Sequence, residues 1–211
     1  MSALAALRLV AITDLALLDG PALFAAVAAM AAAVPRGALA VQLRARHLGG
    51  RAQWQRAQAL RAITADAGAA LHVNDRLDVA RAVGADGVHL PESGLPPAIA
   101  RAVAPRLTIG VSRHAAAVQP DADLVQLGPI WATPSKAGLG EPLGVAALTA
   151  QRAHGPVVVA VGGIDSPGRA EAAAHAGADA VAVIRALWLA DDPAGVARAL
   201  VAAVERGRAA R

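Results

Sequence analysis

The stretch ALHVNDRLDVARAVGADGVHL, at residues 70–90, contains one complete strand–helix–strand unit. Residues Ala70–Asn74 and Gly87–Leu90 form short apolar runs bounded by polar residues, which is typical of buried strands. Helix-forming residues fill Arg76–Val83, and Gly84 follows them where a left-handed residue would end the helix. A parallel pair of strands needs a long crossover connection, usually a helix. These residues therefore predict a parallel sheet covered by helices.

The same alternation runs through the rest of the chain. Further strands are predicted at Leu9–Thr13, Leu39–Arg44, Leu107–Ser112, Leu124–Leu127, Val157–Val161 and Ala180–Ile184. Further helices are predicted at Pro21–Ala33, Arg51–Ala67, Pro96–Val103, Gly144–Arg152, Pro167–Ala176 and Pro193–Arg206, with a short one after His114. Eight such units predict a closed (β/α)8 TIM barrel. A doubly wound sheet is the rival, but no glycine fingerprint follows the first strand.

A weak internal repeat supports the barrel. Gly84-Ala85-Asp86-Gly87-Val88 and Gly177-Ala178-Asp179-Ala180-Val181 each lie at a predicted helix-to-strand junction. We expect both copies to be structural, since the glycine ends a helix and the valine begins a buried strand. No linker or change of composition divides the chain, so residues 1–211 are predicted to form one domain.

The composition of the 211 residues excludes several classes of protein. The absence of cysteine excludes disulfides and thiolate chemistry and agrees with a cytoplasmic location. No apolar run reaches the roughly 18 uncharged residues that span a bilayer, and the start lacks the features of a signal peptide. The net charge is +4, the arginines are scattered, and one Phe and no Tyr are present to stack on bases. We therefore expect a cytoplasmic protein that binds neither membrane nor nucleic acid.

Polar side chains cluster where the predicted strands end, and in such barrels the reactive groups lie there. Strand two ends with Gln42 and Arg44, which the alternation of a strand places on one face with Arg46. This face offers a carboxamide and two cations to an anion or a heterocycle; an exposed salt bridge is the alternative. Strand three ends with Asn74 and Asp75, whose alternative role is to cap the next helix.

The ends of strands seven and eight predict a phosphate site. Gly162 and Gly163 follow strand seven, and strand eight ends at Ile184 with Arg185 directly after it. Barrels commonly bind a phosphate on the backbone N–H groups of these two loops.

Lys136 is the only lysine, while the other nineteen basic residues are arginines. Such a composition retains a lysine where a planar guanidinium does not serve in place of a compact ammonium. Lys136 lies in a loop with Thr133 and Ser135, and two hydroxyls and a cation suit an anion. An accidental surface lysine is the alternative.

His114 is the best acid/base candidate among the six histidines, because it follows strand five and imidazole exchanges protons near neutrality. His89 lies inside strand four, which is compatible with a core histidine whose N–H is satisfied. No group of His, Asp and Glu has the spacing of a metal site.

Several segments, taken in order, resemble the thiamin phosphate synthase/TenI family over residues 8 to about 190. The matching segments are Ile12-Thr13-Asp14, Gln42-Leu43-Arg44, Val73-Asn74-Asp75-Arg76, residues 84–90, Ile109-Gly110-Val111-Ser112 with His114, residues 128–136, Gly162-Gly163-Ile164 and Gly177-Ala178-Asp179. Each segment alone is unspecific, whereas the set is specific. Members of this family are (β/α)8 barrels, which agrees with the fold predicted above.

The resemblance implies one of two activities. The synthase joins a pyrimidine pyrophosphate to a thiazole phosphate and releases pyrophosphate with help from Mg2+. The TenI branch is a tautomerase that moves a proton to form an aromatic thiazole phosphate carboxylate and needs no cofactor. The thiazole phosphate would be held near Gly162, Gly163, Ile184 and Arg185. The bound anion or carboxylate would face Thr133, Ser135 and Lys136. In a synthase, the pyrimidine, the pyrophosphate and its magnesium would face Gln42, Arg44, Asn74 and Asp75.

Two positions depart from the synthase pattern. Arg46 replaces a lysine, and Gly94 replaces an aspartate that binds magnesium, with Glu92 as the nearest substitute. His114, which matches the acid/base of the tautomerase, is intact. We therefore interpret the chain as a tautomerase in which His114 moves the proton and Lys136 steadies the carboxylate.

Two alternatives remain to that interpretation. One is a synthase with Mg2+ at Asp75, and the other is a non-catalytic barrel that retains only the phosphate site. The expected partner in every case is a small phosphorylated molecule. The apolar helix faces leave room for a homodimer.

Overall fold

A computed structural model describes residues 4–117, 121–133 and 141–211. Its eight parallel strands follow sequence order around a closed barrel, in which β8 pairs with β1. They are β1 (Leu9–Ile12), β2 (Leu39–Leu43), β3 (Ala70–Asn74), β4 (Gly87–Leu90), β5 (Thr108–Arg113), β6 (Leu124–Leu127), β7 (Val157–Val161) and β8 (Ala180–Val183). The predicted (β/α)8 fold is confirmed.

Helices surround the barrel in the described part of the chain. They are α1 (Gly20–Ala33), α2 (Gly50–Ala67), α3 (Leu77–Ala82), α4 (Pro97–Val103), α5 (Ala146–Arg152), α6 (Pro167–His175), α7 (Arg185–Trp188) and α8 (Pro193–Ala209). Most ends differ from the predicted ones by one to three residues, close to the uncertainty with which helix ends are defined. None of the described helices has the length and apolarity needed to cross a membrane.

Two helix predictions need correction. The short helix expected after His114 is not present at residues 114–117, and residues 118–120 lie outside the described part. Conversely, α7 was not predicted, because its four residues are too few to show a helical period.

The barrel interior changes from apolar to polar toward the carboxyl ends of the strands. Its lower layers are fully buried and contain Val10, Ala40, Leu124, Val159 and Ala180. Side chains alternate between the interior and the surrounding helices, so the interior face repeats every second residue. Two residues beyond Ala40 and Leu124, this face carries Gln42 and Gln126. The polar layer therefore forms the floor of a site at the carboxyl end.

Three aspartates join strands to helices at the opposite end of the barrel. A carboxylate oxygen of Asp86, Asp123 or Asp179 accepts a backbone N–H at the start of the preceding strand, at 2.7–3.0 Å. Each carboxylate also pairs with an arginine of a covering helix or, for Asp179, of α8 and the C-terminus. Asp86 and Asp179 belong to the Gly-Ala-Asp repeat, so the structure gives both copies the expected structural role.

Candidate functional site

A cavity of about 830 Å3 opens at the carboxyl end of the barrel, within the size range of small-molecule sites. The predicted site residues that line it are Gln42, Arg44, Arg46, Asn74, His114, Thr133, Gly162, Gly163, Ile184 and Arg185. Ser135 and Lys136 lie outside the described residues. Asp75 is exposed and lies outside the cavity lining.

The floor of the cavity is a chain of three carboxamides. Gln126 Nε2 donates to Gln42 Oε1 at 2.5 Å, and Gln42 Nε2 donates to Asn74 Oδ1 at 3.2 Å. All three residues are at least 93% buried, and Asn74 Nδ2 has no hydrogen-bond partner within the described ranges. The side chain of Asn74 thus bonds to Gln42, whereas α3 has no side-chain cap. The alternative role of an N-cap is therefore wrong for Asn74.

Two arginines follow the polar floor on the β2 side. The backbone of Arg44 is fixed by Thr13, whose hydroxyl accepts the Arg44 N–H at 2.9 Å. Burial and the neighbouring charge of Arg46 lower the pKa of Arg44, whereas Asp14 raises it. The ion pairs of the described residues include neither arginine. The alternative of an exposed salt bridge is therefore not found, and two cations face the cavity.

Two glycines with left-handed backbone form the β7 side of the mouth. Gly162 has φ 93° and Gly163 has φ 70°. A Cβ on Gly162 would lie 2.7 Å from Pro129 Cα, and one on Gly163 would lie 2.7 Å from Trp131 Cβ. Only glycine fits either position, since other residues rarely adopt this conformation and the space is closed.

Backbone donors of two loops face the same cavity. Among the described residues, no acceptor is found for the N–H groups of Gly163, Arg185 and Ala186, all of which line the cavity. The Gly163 carbonyl is occupied, because it accepts from Arg169 Nη1 at 2.6 Å. Arg169 also stacks 5.5 Å above the ring of Trp131, which fixes the loop from behind. Converging N–H groups of this kind suit a phosphate.

His114 lies at the β5 side of the mouth and contacts a carboxylate. Its Nδ1 is hydrogen-bonded to Glu92 Oε2, and this bond is the main cause that lowers the pKa of Glu92. The pair is nearly half exposed, so it contributes little to stability. It does fix one nitrogen of an imidazole that lines the cavity.

Two further imidazoles are buried below the mouth. His89 Nε2 lies 2.8 Å from Ser112 Oγ, a cavity-lining hydroxyl, and His89 Nδ1 has no partner in the part of the chain that the structure describes. Burial is the main cause that lowers the pKa of His89 to about 3 and that of His72 to about 4. Both rings are therefore neutral at pH 7. His89 is a core histidine, as expected, with only one ring nitrogen bonded.

The donors near Asp75 decide how a magnesium ion would fit. Asp75 has φ 67°, the only positive φ of a non-glycine residue in the described ranges. Position 94 has no side chain, and the Glu92 carboxylate is engaged by His114. No group of three His, Asp or Glu among the described residues could hold a metal. Since Mg2+ commonly uses one or two carboxylates plus substrate phosphates, the single exposed carboxylate of Asp75 is compatible only with an ion held chiefly by substrate phosphates.

Sequence reasoning missed several residues that the structure brings to the cavity. Gln126 was the clearest signal, as a single polar residue within the apolar run of β6. Ser112 and Arg113 were recognised as polar residues at the end of strand five but were assigned no role, and both line the cavity. Arg169 acts from α6 through backbone and ring contacts that no local pattern reveals.

Comparisons with known proteins identify the family of this chain. A family model described as TMP-TENI, thiamine monophosphate synthase, matches residues 9–187. The thiamine-phosphate synthase of Chloroflexus aurantiacus is 40% identical over 203 residues, covering 93% of this chain and 92% of the relative. That of Moorella thermoacetica is 42% identical over 183 residues, covering 83% and 87%. A solved thiamine phosphate pyrophosphorylase from Pyrococcus furiosus superposes with a TM-score of 0.83 at 28% identity, covering 96% of this chain and 98% of that one. The chain therefore belongs to the thiamine monophosphate synthase (TMP-TENI) family.

Proposed function

We propose that this chain is a thiamine-phosphate synthase, which joins a pyrimidine pyrophosphate to a thiazole phosphate and releases pyrophosphate. The observation that carries the proposal is that two separate groups of residues, each with the chemistry to bind an anion, line one cavity. Arg44 and Arg46 form the first, and the loops at Gly163 and Arg185 form the second. The named relatives favour the synthase over the tautomerase that Gly94 and His114 suggest.

The first group would bind the pyrimidine pyrophosphate. Gln42 and Asn74 would contact the ring from the floor, while Arg44 and Arg46 neutralise the pyrophosphate. When the bond to the pyrophosphate breaks, the leaving group takes the electron pair, and the new bond forms to the thiazole. Charge that develops on the leaving oxygen is stabilised by guanidinium groups already in place.

The second group would bind the thiazole phosphate. Backbone N–H groups at Gly163, Arg185 and Ala186 would hold its phosphate, with Thr133 lining the same cavity. This placement fixes the thiazole opposite the pyrimidine, so that the two reacting atoms meet in one orientation.

Magnesium would be bound by Asp75 together with oxygens of the pyrophosphate. The ion supplies further neutralisation of the departing pyrophosphate. We place no other carboxylate of the chain on it.

The test is release of pyrophosphate by the purified protein. Thiamin phosphate and pyrophosphate are expected in equal amounts when both substrates and Mg2+ are present, and neither when one substrate is omitted. An absence of both products with all components present would overturn the proposal. Binding of thiazole phosphate without turnover would instead indicate the non-catalytic barrel.

A second candidate is the tautomerase, which the contact between His114 and Glu92 favours. A carboxylate that fixes the orientation of an imidazole at a cavity supports a role of that imidazole in proton transfer. This candidate predicts aromatisation of the non-aromatic thiazole phosphate carboxylate without pyrimidine, faster than the background reaction. It also predicts that His114→Asn abolishes the acceleration, and full turnover by this variant would contradict it.

We further propose that the protein is a cytoplasmic homodimer. Ile99 and Val103 expose about half of their surface on α4, and covering them on a second copy would remove apolar area from water. Sedimentation equilibrium would show twice the mass of the chain. A single species of monomeric mass at micromolar concentration would contradict this proposal.

A further inference from the structure

The amide chain on the cavity floor crosses the barrel. Gln42 and Asn74 belong to the neighbouring strands β2 and β3, whereas Gln126 comes from β6 on the other side. The contact between Gln126 and Gln42 therefore passes through the interior. Gln126 is 97% buried, which is a costly place for an amide unless its polar atoms are used.

The direction of this chain decides what the floor offers to a ligand. Gln126 Nε2 donates to Gln42 Oε1, so the amide nitrogen of Gln42 is turned toward Asn74. Asn74 must then accept with Oδ1 and is left with Nδ2 as its unpaired, buried donor. If every amide were turned over, Asn74 would instead present an acceptor. The direction of the amide chain therefore depends on whether position 126 presents a donor or an acceptor to Gln42.

An unpaired buried donor in a cavity indicates a missing acceptor. Leaving such a group unpaired costs roughly 1–3 kcal/mol, and an acceptor on a ligand would recover this cost. Ring nitrogens of a pyrimidine are acceptors without a proton at pH 7. Asn74 lines the cavity beside Arg44, where the proposed function places the pyrimidine pyrophosphate.

We propose that Gln126 is a positioning residue that orients the amides of Gln42 and Asn74, so that Asn74 Nδ2 donates to a ring nitrogen of the bound pyrimidine. This inference rests on the proposed synthase function. It adds a specificity determinant on β6 that acts through two other residues.

Two substitutions at position 126 separate the effect of amide orientation from the effect of side-chain volume. Gln126→Glu keeps the shape of the side chain but, when ionised, removes its donor. The amide of Gln42 would then turn to donate to the new carboxylate, and Asn74 would present Oδ1 to the ring nitrogen. When protonated, the new carboxyl group donates as the amide did, and the original polarity returns. Gln126→Met fills a similar volume and removes the donor at every pH.

The measurement is calorimetric binding of pyrimidine pyrophosphate and of inorganic pyrophosphate between pH 6 and 9. The ratio of the two Kd values isolates the contribution of the ring. At high pH, the preference of Gln126→Glu for pyrimidine pyrophosphate over inorganic pyrophosphate should be at least tenfold smaller than that of the wild type. It should return toward the wild-type value as the pH falls. In Gln126→Met, this preference should be reduced by the same factor at every pH. The other ionisable side chains that line the cavity are the same in all three proteins, so the wild-type profile serves as the reference for them; they are Asp14, Arg44, Arg46, Arg113, His114, Asp165 and Arg185.

Analogues in which one ring nitrogen is replaced by C–H provide a readout that does not depend on the glutamate variant. The wild type should bind one of them at least tenfold more weakly than the pyrimidine, and Gln126→Met should lose this discrimination. A penalty that persists unchanged in Gln126→Met would overturn the inference, as would a Kd ratio in Gln126→Glu equal to the wild type at every pH. If the wild type itself shows no preference for the pyrimidine over inorganic pyrophosphate, the proposed function fails instead.

Discussion

The two buried imidazoles, His72 and His89, make the free energy of unfolding depend on pH below neutrality. Their folded-state pKa values, about 4 and about 3, lie below the ordinary value of 6.5. The unfolded chain therefore binds protons that the folded chain excludes. The free energy of unfolding is unaffected above pH 6.5 and falls as the pH drops from about 6.5 toward 3. His72 alone should contribute on the order of 3 kcal/mol to this loss.

Urea denaturation at several pH values between 7.5 and 4 tests this expectation. His72→Gln removes the titrating ring and should flatten the dependence of the unfolding free energy on pH. His175→Gln, at an exposed position on α6, is the control and should leave the slope unchanged. Equal slopes in wild type and His72→Gln would contradict the assignment.

Arg44 should contribute more to pyrophosphate binding than an ordinary surface arginine. It is half-buried at the cavity and pairs with no carboxylate among the described residues, so its charge is available to an anion. Arg44→Ala is expected to weaken inorganic pyrophosphate binding roughly 10- to 100-fold, the range for a hydrogen bond to a charged group. Arg51→Ala removes an exposed arginine on α2 outside the cavity and should change the calorimetric Kd less than twofold.

At the scale of elements, the loop between β7 and α6 depends on backbone that only glycine adopts. Gly163→Ala would force φ away from 70° or press its methyl group against Trp131, and either change moves the N–H at the cavity. We expect binding of inorganic phosphate to weaken roughly tenfold or more, from strain of a few kcal/mol. The fold should remain intact, as monitored by circular dichroism.

Gly168→Ala is the matched control for that substitution. Gly168 lies on the adjacent helix α6, where an added Cβ meets nothing within 4 Å. Its phosphate affinity should equal that of the wild type. Equal weakening in both variants would show that the loop geometry is not what binds phosphate.

At the scale of the whole molecule, the aspartates at the amino end hold the barrel to its outer helices. Asp179 accepts the Val158 N–H and pairs with Arg208 and Arg211, so it links β7 to the end of the chain. Asp179→Ala should lower the free energy of unfolding by about 2 kcal/mol, since it leaves a buried N–H without an acceptor. Asp121→Ala, at an exposed position, should change it by less than about 0.5 kcal/mol. Denaturant unfolding at pH 7 measures both.

The fold was predictable because its signals are local. β3 and β4 have the predicted bounds, since apolar runs there end abruptly at polar residues and glycine. The cavity residues were predictable as a set, because a closed barrel brings all carboxyl ends together. The partners of those residues were not, since the contacts of Gln126 with Gln42 and of Glu92 with His114 join strands or loops distant in sequence.

The positions of the three tryptophans make ligand binding at the mouth accessible to fluorescence. With no tyrosine and one phenylalanine, its near-ultraviolet emission comes from Trp54, Trp131 and Trp188. Trp131 lies behind Gly163, and Trp188 lies on α7, where its indole N–H donates to the Ile12 carbonyl at 2.6 Å. Trp54, on the outer helix α2, lies outside the cavity lining and is 37% exposed. A Trp54→Phe variant would therefore emit from two indoles beside the mouth, so binding of an anion there becomes visible without any label.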